Sequence, residues 1–300
     1  MKRSVVSGTV VAVGLLSMTL TAWQAPAPAG PKAIDIVKLK DNLYVLTSSS
    51  PAERALFSGG NVSVFITDGG VTLVDTKLAG WGQAMLDKIK TVTTKPVTRI
   101  INTHTHGDHT GNNDGFGDKV EVVAHENTKA NMEKMDAFKG DKAKFLPTKT
   151  YKDKLTLGKG KEQVDLYYFG PGHTSGDTWV VFPALHVLQT GDMFAWKDGP
   201  LCDRANGGSC VNYPKTLANA IKGVNNIDIV IPGHSPMMTI KDVADYQQFM
   251  TDLVAAATSA MQAGKSVDDA AAGFSIAKYP GYKNERVKAS MQVVYDELKK

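Results

Sequence analysis

The sequence predicts an α/β fold in which β-sheets lie between layers of helices, with a helical C-terminal tail. Apolar runs rich in β-branched residues alternate with segments of helical periodicity, and this order occurs in two successive halves of the chain. Such an order is typical of sheets covered by helices on their outer faces. The 300 residues, of which 42% are hydrophobic and 21% are charged, are enough for a large core.

The first 29 residues are predicted to be a secretory signal peptide rather than part of the fold. Lys2-Arg3 supplies a positive start, an apolar run follows over residues 5–22, and Ala27-Pro28-Ala29 offers a cleavage site. An uncleaved membrane anchor is the alternative, because the run is of borderline length for crossing a bilayer. Cleavage would leave a single domain over residues 30–300 in the periplasm or outside the cell, with no stable membrane insertion.

The first half of the chain begins with a predicted hairpin over residues 62–66 and 71–74, because turn residues 68–70 separate two β-rich runs. A short helix is predicted over 82–89, and a buried strand over 97–101 leads directly into a polar cluster. The remaining elements of the core are predicted as strands over 120–124, 164–169, 179–182, 186–188 and 227–231, and as a helix over 127–138.

The tail beyond residue 240 is predicted to be helical, which leaves a core of about residues 34–240. Thr239-Ile240-Lys241-Asp242 resembles a capping box, and apolar residues then recur at helical spacing until Gly264. A second amphipathic helix is predicted near the C-terminus, over residues 287–298. Both apolar stripes are interpreted as core faces.

A cluster of polar side chains predicts a metal site. The run His104-Thr105-His106-Gly107-Asp108-His109 places four ligand side chains within six residues, directly after a strand. Such groups are unfavourable to bury without partners, whereas a loop at a strand end can direct several of them at one ion. Further candidates each follow a β-type run and a glycine, which allows close backbone approach. These are His173, Asp192 and His234.

Taken together, these motifs resemble the ligand motifs of the metallo-β-lactamase superfamily, in that superfamily's order. The resemblance covers roughly residues 34–240 and implies a four-layer αββα sandwich with the metals at one sheet edge. It implies one metal held by His104, His106 and His173, a second held by Asp108, His109 and His234, and Asp192 as a bridge between them.

The resemblance implies a hydrolase with two divalent ions, with Zn²⁺ favoured and Fe or Mn as alternatives. Two such ions can share a hydroxide, which would cleave an ester, thioester, lactone or amide bond of a small-molecule substrate. Asp108 is the predicted catalytic residue, because it would hold this nucleophile and relay its proton. Asp192 favours the branch of glyoxalase II, lactonases and related esterases, because antibiotic-resistance lactamases generally lack a bridging aspartate.

Three other functions remain open from the sequence. A periplasmic β-lactamase would hydrolyse β-lactam antibiotics, although Asp192 predicts weak or no carbapenem turnover. An iron-dependent persulfide dioxygenase of the same fold uses fewer ligands, and a non-catalytic metal-binding protein would use the ions only structurally. Nucleic acid is not an expected partner, because no basic run is interleaved with aromatic residues.

Several residues outside the ligand set carry individual expectations. Asp75 resembles the superfamily's acid behind the histidine loop, although a turn at the end of a strand explains it equally well. His125 is interpreted as a cap or a supporting residue, and His186 as a structural residue of a strand. Cys202 and Cys210 could form a disulfide in an oxidising compartment or remain free. The candidates for a substrate-binding wall are Trp196, Lys197, Asp203 and Arg204.

No serine nucleophile is predicted. Ser175 and Ser209 lie in polar loops near the ligand motifs, but no G-x-S-x-G sequence surrounds either of them. Both are therefore interpreted as loop or supporting residues.

Overall fold

Two β-sheets organise the part of the chain that the computed structural model describes, residues 33–48, 53 and 55–299. The first sheet has seven strands in sequence order, antiparallel from β1 to β4 and parallel from β4 to β7. Its strands are β1 (Asp35–Lys40), β2 (Leu43–Thr47), β3 (Val62–Thr67), β4 (Gly70–Val74), β5 (Val97–Ile101), β6 (Glu121–His125) and β7 (Lys149–Tyr151).

The second sheet has five strands in the order β12-β11-β10-β9-β8, and it is antiparallel except for the parallel pair β11 and β12. Its strands are β8 (Lys154–Leu157), β9 (Val164–Tyr167), β10 (Trp179–Phe182), β11 (Val187–Gly191) and β12 (Ile229–Pro232). The predicted hairpin is confirmed as β3 and β4, which pair from Ser63 with Val74 to Thr67 with Gly70.

Helices cover both sheets. The α-helices are α1 (Gly82–Lys90), α2 (Gly107–Thr110), α3 (Glu126–Met132), α4 (Tyr213–Gly223), α5 (Ile240–Gln262), α6 (Val267–Gly273) and α7 (Val287–Leu298). The predicted capping box starts α5, where Thr239 accepts from the backbone N–H of Asp242 and the Asp242 side chain accepts in return. Gly264, with φ of 71°, follows the end of α5, as predicted.

Three apolar clusters show how the layers stack. The cluster between the sheets includes Phe65 of β3 and Phe182 of β10, whose ring centroids are 5.0 Å apart. Met85 and Ile89 of α1 pack against the outer face of the first sheet. The outer face of the second sheet is covered by the apolar sides of α4, α5 and α7. The arrangement is the predicted αββα sandwich, and its C-terminal helices form the last layer.

The structure corrects two of the predicted elements. The helix over 127–138 ends at Met132, and a separate 3₁₀ turn, Asp136–Phe138, follows it. His186 lies in a turn before β11 rather than in the strand, with a left-handed φ of 59° and a half-exposed side chain. The sequence patterns also missed several elements, namely β1, β2, β7, β8, α2, α4 and α6.

The parallel strands place polar loops at one edge of each sheet. β4 and β5 are parallel, so the residues that follow Val74 and Ile101 leave the first sheet at the same edge. β11 and β12 are parallel in the second sheet, so the residues that follow Gly191 and Pro232 also leave together. The carboxyl ends of parallel strands are where ligand sites form in such sheets, because several loops converge there.

Residues Pro31–Lys300 form one compact unit. Within the described residues, none of the helices is long and apolar enough to cross a membrane. The predicted signal peptide at residues 1–29 lies outside the described residues.

Candidate metal centre

The structure brings together all seven predicted ligand residues at the edge where these loops converge. The first group consists of His104, His106 and His173, whose nearest ring nitrogens lie within 4.8 Å of one another. His106 Nδ1 is 2.9 Å from His173 Nε2. His104 and His106 come from the loop after β5, whereas His173 comes from the loop between β9 and β10. One ion could therefore be held jointly by the two sheets.

The second group consists of Asp108, His109 and His234, again with ligand atoms within 4.8 Å of one another. His234 Nε2 lies 3.3 Å from Asp108 Oδ2 and 3.3 Å from His109 Nε2. Asp108 and His109 belong to the short helix α2, and His234 follows β12. This group too joins the two halves of the fold.

Asp192 lies between the two groups. Its carboxylate is 3.3 Å from both His109 Nε2 and His234 Nε2, and 3.6 Å from His173 Nε2. The neighbouring backbone must come very close to it, because a Cβ added to Gly233 would lie 1.9 Å from Asp192 Oδ1. Glycine is thus required in the Pro232-Gly233-His234 turn for steric reasons.

Hydrogen bonds fix which nitrogen of each histidine in the first group faces the centre. His104 Nδ1 contacts the Thr103 hydroxyl at 3.0 Å, and His173 Nδ1 contacts the Leu201 carbonyl oxygen at 2.7 Å. His106 Nε2 contacts Asp203 Oδ2 at 2.8 Å. The opposite nitrogen of each ring, Nε2 in His104 and His173 and Nδ1 in His106, is left for a metal ion, as in sites where outer partners set the tautomer.

Asp75 contacts His109 of the second group directly, and it contacts Thr103, whose hydroxyl contacts His104 of the first group. The interpretation of Asp75 as a supporting acid is therefore confirmed. Its side chain is fully buried and accepts from the backbone N–H and the hydroxyl of Thr103, at 2.7 and 2.8 Å. Its Oδ2 also lies 2.7 Å from His109 Nδ1. Asp75 also directly follows β4 and has a φ of 70°, so the alternative interpretation as a turn residue at a strand end describes its backbone correctly.

The donor set fits a divalent metal centre. His104 Nε2 and Asp192 Oδ1 are buried and have no hydrogen-bond partner among the described residues, although Asp192 Oδ1 lies 3.3 Å from His109 Nε2. Buried polar atoms are rarely left unpartnered, because this costs free energy comparable to a lost hydrogen bond. Both atoms point into the cluster of imidazoles and carboxylates, which is the ligand chemistry of zinc and related ions. The side chains of this cluster therefore fit a bound divalent metal ion.

The electrostatics of the cluster also prepare it for a cation. Burial holds the pKa of His104 well below its ordinary value, and burial lowers the pKa of His173 to about 4. Both rings are thus neutral at pH 7, the form that binds metal. Burial alone would raise the pKa of Asp108, but His109 and His234 hold it at about 2. Burial likewise opposes ionisation of Asp192, yet His234 and His109 keep its pKa well below the ordinary value.

A disulfide-closed loop holds the outer partners of the first group. Cys202 and Cys210 form a disulfide, which decides between the two alternatives that the sequence left open. Leu201 and Asp203, on either side of Cys202, are the residues that contact His173 and His106. Helix α7 anchors this loop, since Glu297 accepts from the Ser209 hydroxyl at 2.6 Å and from the Cys210 N–H at 2.7 Å. The C-terminal tail therefore supports the centre indirectly.

The remaining predicted residues have different positions. His125 caps α3 by accepting from Asn127 N–H, which confirms its interpretation as a cap. Ser175 and Ser209 contact Asn131 and Glu297, respectively, and neither has a histidine partner among its hydrogen bonds. Among the four predicted wall residues, Trp196 and Lys197 line a cavity that reaches His234. Asp203 and Arg204 do not line it: Asp203 contacts His106, and Arg204 is exposed.

Lys77 is a buried residue beside the centre that the sequence patterns missed. Its side chain is fully buried, its φ is 60°, and its Nζ donates to the Gly60 carbonyl at 2.9 Å. Burial lowers the pKa of Lys77 from 10.5 to about 7, against the opposing effect of Asp108 and Asp75. No pattern marked it, because a single lysine after a strand ordinarily predicts an exposed turn.

Lys77→Met is expected to change the pH dependence of stability. Between pH 7 and 10.5 the unfolded chain binds more protons at this residue than the folded chain, so Lys77 lets the free energy of unfolding rise with pH there. The full penalty of burying the ammonium is present below pH 7. In metal-free protein, we therefore expect the methionine substitution to be more favourable at pH 6 than at pH 9.5, by roughly 2–4 kcal/mol.

Denaturant unfolding of both proteins at these two pH values measures this difference. Lys90→Met, at an exposed position of α1, is the control and should show no such pH dependence. A difference between Lys77→Met and the parent that stays constant from pH 6 to pH 9.5 would contradict the lowered pKa.

Comparison with known proteins agrees with this geometry. Residues 56–234 match the model of the Metallo-beta-lactamase superfamily. A metallo-beta-lactamase type 2 of Elizabethkingia meningoseptica is 27% identical over 253 residues, which cover 80% of this chain and 94% of that protein. A metallo-beta-lactamase type 2 of Bacillus cereus is 27% identical over 212 residues, or 67% of this chain and 76% of that protein.

Solved structures extend the similarity of fold. The DIM-1 metallo-beta-lactamase superposes with a TM-score of 0.60 at 21% identity, covering 74% of this chain and 98% of its own. A stereoselective inverting sec-alkylsulfatase from Pseudomonas sp. superposes with a TM-score of 0.71 at 16% identity, covering 88% of this chain and 50% of its own. At these identities the superpositions establish the fold alone.

Proposed function

Because the chain belongs to the metallo-β-lactamase superfamily, whose members are metal-dependent hydrolases, we propose that it cleaves a carbonyl bond with two divalent ions. The bond is an ester, thioester, lactone or amide of a small molecule, and Zn²⁺ is the proposed metal. The observation that carries this proposal is the position of Asp192, 3.3 Å from two histidines of one ligand group and 3.6 Å from a histidine of the other.

The proposed ligands divide as the hydrogen bonds suggest. His104 Nε2, His106 Nδ1 and His173 Nε2 would hold one ion, Asp108, His109 and His234 would hold the other, and Asp192 would contact both. When bound, such ions supply a water-derived nucleophile at neutral pH and polarise the carbonyl oxygen of the substrate.

The chain itself orients the reactants. The Asp108 carboxylate is ionised at neutral pH, since His109 and His234 hold its pKa at about 2 against the effect of burial. Its side chain is 23% exposed, whereas His109 and His234 beside it are almost fully enclosed. We assign it the role of accepting a hydrogen bond from the attacking water, because an acceptor at this position aligns the water for attack.

β-Lactam hydrolysis is the second candidate, because the relatives from Elizabethkingia meningoseptica and Bacillus cereus are metallo-beta-lactamases. The additional carboxylate of Asp192 favours the other carbonyl substrates. An iron-dependent dioxygenase would need open positions on a single ion, and seven converging ligands do not favour that arrangement.

Export to an oxidising compartment is part of the proposal. The buried Cys202–Cys210 disulfide supports it, because structural disulfides persist in the periplasm and outside cells rather than in the cytosol. Expression of the full chain, followed by cell fractionation and mass measurement of the product, tests both export and removal of residues 1–29.

Metal quantification on purified mature protein, followed by a substrate panel, tests the function. We expect two zinc ions per chain and turnover of at least one ester, thioester or lactone, with little hydrolysis of nitrocefin or imipenem. His106→Ala should lose a metal and the activity together. Efficient imipenem turnover would favour the second candidate, whereas one iron per chain, or full activity in His106→Ala, would contradict the proposal.

A further inference from the structure

A cavity of about 890 Å³ opens from the candidate metal centre toward the C-terminal segment. His234 of the candidate metal centre is one of its lining residues, and Trp196 and Lys197 form part of its wall. Gly281, Lys283, Glu285 and Arg286, from the segment before α7, also line it. A volume of this size suits a small-molecule substrate.

Aromatic contacts fix Arg286 relative to the centre. The Trp196 ring lies against the His234 ring, with centroids 5.7 Å apart and planes inclined by 32°. The Arg286 guanidinium lies over the Trp196 ring, 5.0 Å from its centroid. A guanidinium over an indole face is held by its attraction to the ring. The distance from the Arg286 guanidinium to the centroid of the His234 ring cannot exceed the sum of these two separations. A small molecule can therefore span the two groups.

Arg286 is the cation of this cavity without an ionic partner. Lys197 pairs with Asp242 at 2.6 Å, and Lys283 pairs with Glu285 at 3.3 Å. No carboxylate of the described residues forms an ion pair with Arg286, and its buried Nε has no hydrogen-bond partner there. A guanidinium without an ionic partner keeps its N–H donors available for an anion.

Asp198 holds the Arg286 backbone rather than its guanidinium. The carboxylate is 3% exposed, and its Oδ1 accepts from the backbone N–H groups of Gly199 at 2.6 Å and Arg286 at 3.3 Å. It therefore fixes the start of α7 against the loop that follows Asp192. The guanidinium of Arg286 remains over the Trp196 ring, in the lining of the cavity.

We propose that Arg286 binds a carboxylate of the substrate, at the end opposite the bond that is cleaved. The substrate class is thus a carbonyl compound with a second, anionic end. Carboxylate is the matching partner, because the planar guanidinium donates two parallel hydrogen bonds to the two oxygens of that group. This inference rests on the proposed function, since it places the cleaved bond at the metal centre.

Calorimetric binding of inhibitors to the zinc-loaded protein tests the proposal without turnover. The probes are the α,ω-dicarboxylates from glutarate to suberate, each compared with the monocarboxylate of the same chain length. A dicarboxylate can occupy the metal centre and Arg286 together. We expect at least one of them to bind about tenfold more tightly than its monocarboxylate, as one charge-assisted hydrogen-bonded pair allows.

Variants assign that preference to Arg286. Arg286→Gln should abolish it, and Arg286→Lys, which keeps the charge without the planar fork, should retain part of it. Lys288→Gln is the matched control, since Lys288 is an exposed residue of the same helix and pairs with Asp268. The preference should be unchanged in this control.

Two results would overturn the inference: no dicarboxylate preference in the parent protein, or the same preference in Arg286→Gln. Failure of the proposed function is distinguished by other measurements. Metal content and turnover of uncharged esters report on that function, whereas the ratio of the two affinities reports on Arg286.

Discussion

Asp192→Ala is expected to lower both metal affinity and hydrolytic activity by more than a hundredfold. Loss of a residue that only supports a metal ligand costs about ten- to a hundredfold, and loss of a shared ligand should exceed that. Asp192 is the residue whose carboxylate lies within 4 Å of histidines from both groups. Its removal therefore weakens both ions at once.

The change also alters the metal-free protein. The Asp192 carboxylate contributes to raising the pKa of His109 well above its ordinary value, against the opposing effect of burial, and it raises the pKa of His234 in the same way. Without Asp192, both rings should titrate at lower pH. Histidine NMR of metal-free protein measures this effect separately from activity.

Asp228→Ala is the matched control for Asp192→Ala. Asp228 also contacts a histidine, His186, at 3.4 Å, but both side chains are at least half exposed and lie before β12 and β11 rather than after them. Its metal content and activity should equal those of the parent. Two bound ions with parental activity in Asp192→Ala would show that Asp192 does not bridge the centre.

Asp75→Asn is expected to lower metal affinity about ten- to a hundredfold although Asp75 is not a proposed ligand. In the parent, Oδ2 of Asp75 contacts both the Thr103 hydroxyl and His109 Nδ1. An amide NH₂ at that position is a donor, so it cannot accept their protons. His109 would then favour the tautomer with the proton on Nε2, the nitrogen that faces the metal centre.

Thr103 transmits the same change to the first group. Its hydroxyl donates to Asp75 and can therefore accept from His104 Nδ1, which leaves His104 Nε2 for the metal. Competition with a chromogenic chelator measures zinc affinity, and ¹⁵N chemical shifts of the histidines report the tautomers. We expect both readouts to change in Asp75→Asn.

Asp165→Asn provides the control for a buried aspartate in a sheet. Asp165 is 6% exposed and accepts from Thr156 and Gln163, on the second sheet and outside the ligand groups. The substitution should affect stability without changing zinc affinity. Unchanged affinity and unchanged tautomers in Asp75→Asn would contradict the supporting role of Asp75.

The sequence was sufficient for the parts of this protein that depend on local patterns. The strand Trp179–Phe182 was predicted to the residue, because a strand that is buried throughout is a continuous apolar run. The bounds of Val97–Ile101 were also correct, although Thr98 and Arg99 interrupt its apolar residues and only Ile100 and Ile101 are buried. Short edge strands such as Lys149–Tyr151 were missed, because few of their residues are buried. The helix predicted over 127–138 failed because the apolar spacing continued past the end of the helical hydrogen bonding at Met132.

The ligand residues could be predicted for a different reason. Histidines and aspartates packed into a strand-end loop have no favourable role in an apolar core, so their pattern indicates chemistry without knowledge of the fold. Their number, order and spacing sufficed to identify the superfamily. The same local information indicated the capping box at Thr239, whereas the pairing of Cys202 with Cys210 remained open until the structure showed it.

Only the tertiary structure decided which side chains support those ligands and what surrounds the substrate. Asp203 contacts His106 across 97 residues of sequence, and Arg286 reaches Trp196 from the far end of the chain. The sequence around Lys77 is typical of an exposed turn, and only the structure shows that the side chain is buried and that burial lowers its pKa to about 7. Such contacts depend on how two sheets and three C-terminal helices pack. Hydrophobic packing constrains the volume and the burial of side chains, but it leaves no pattern in the sequence that shows which side chains will be in contact. The ligands of this centre follow from its sequence, but their support and the cavity beside them follow from packing.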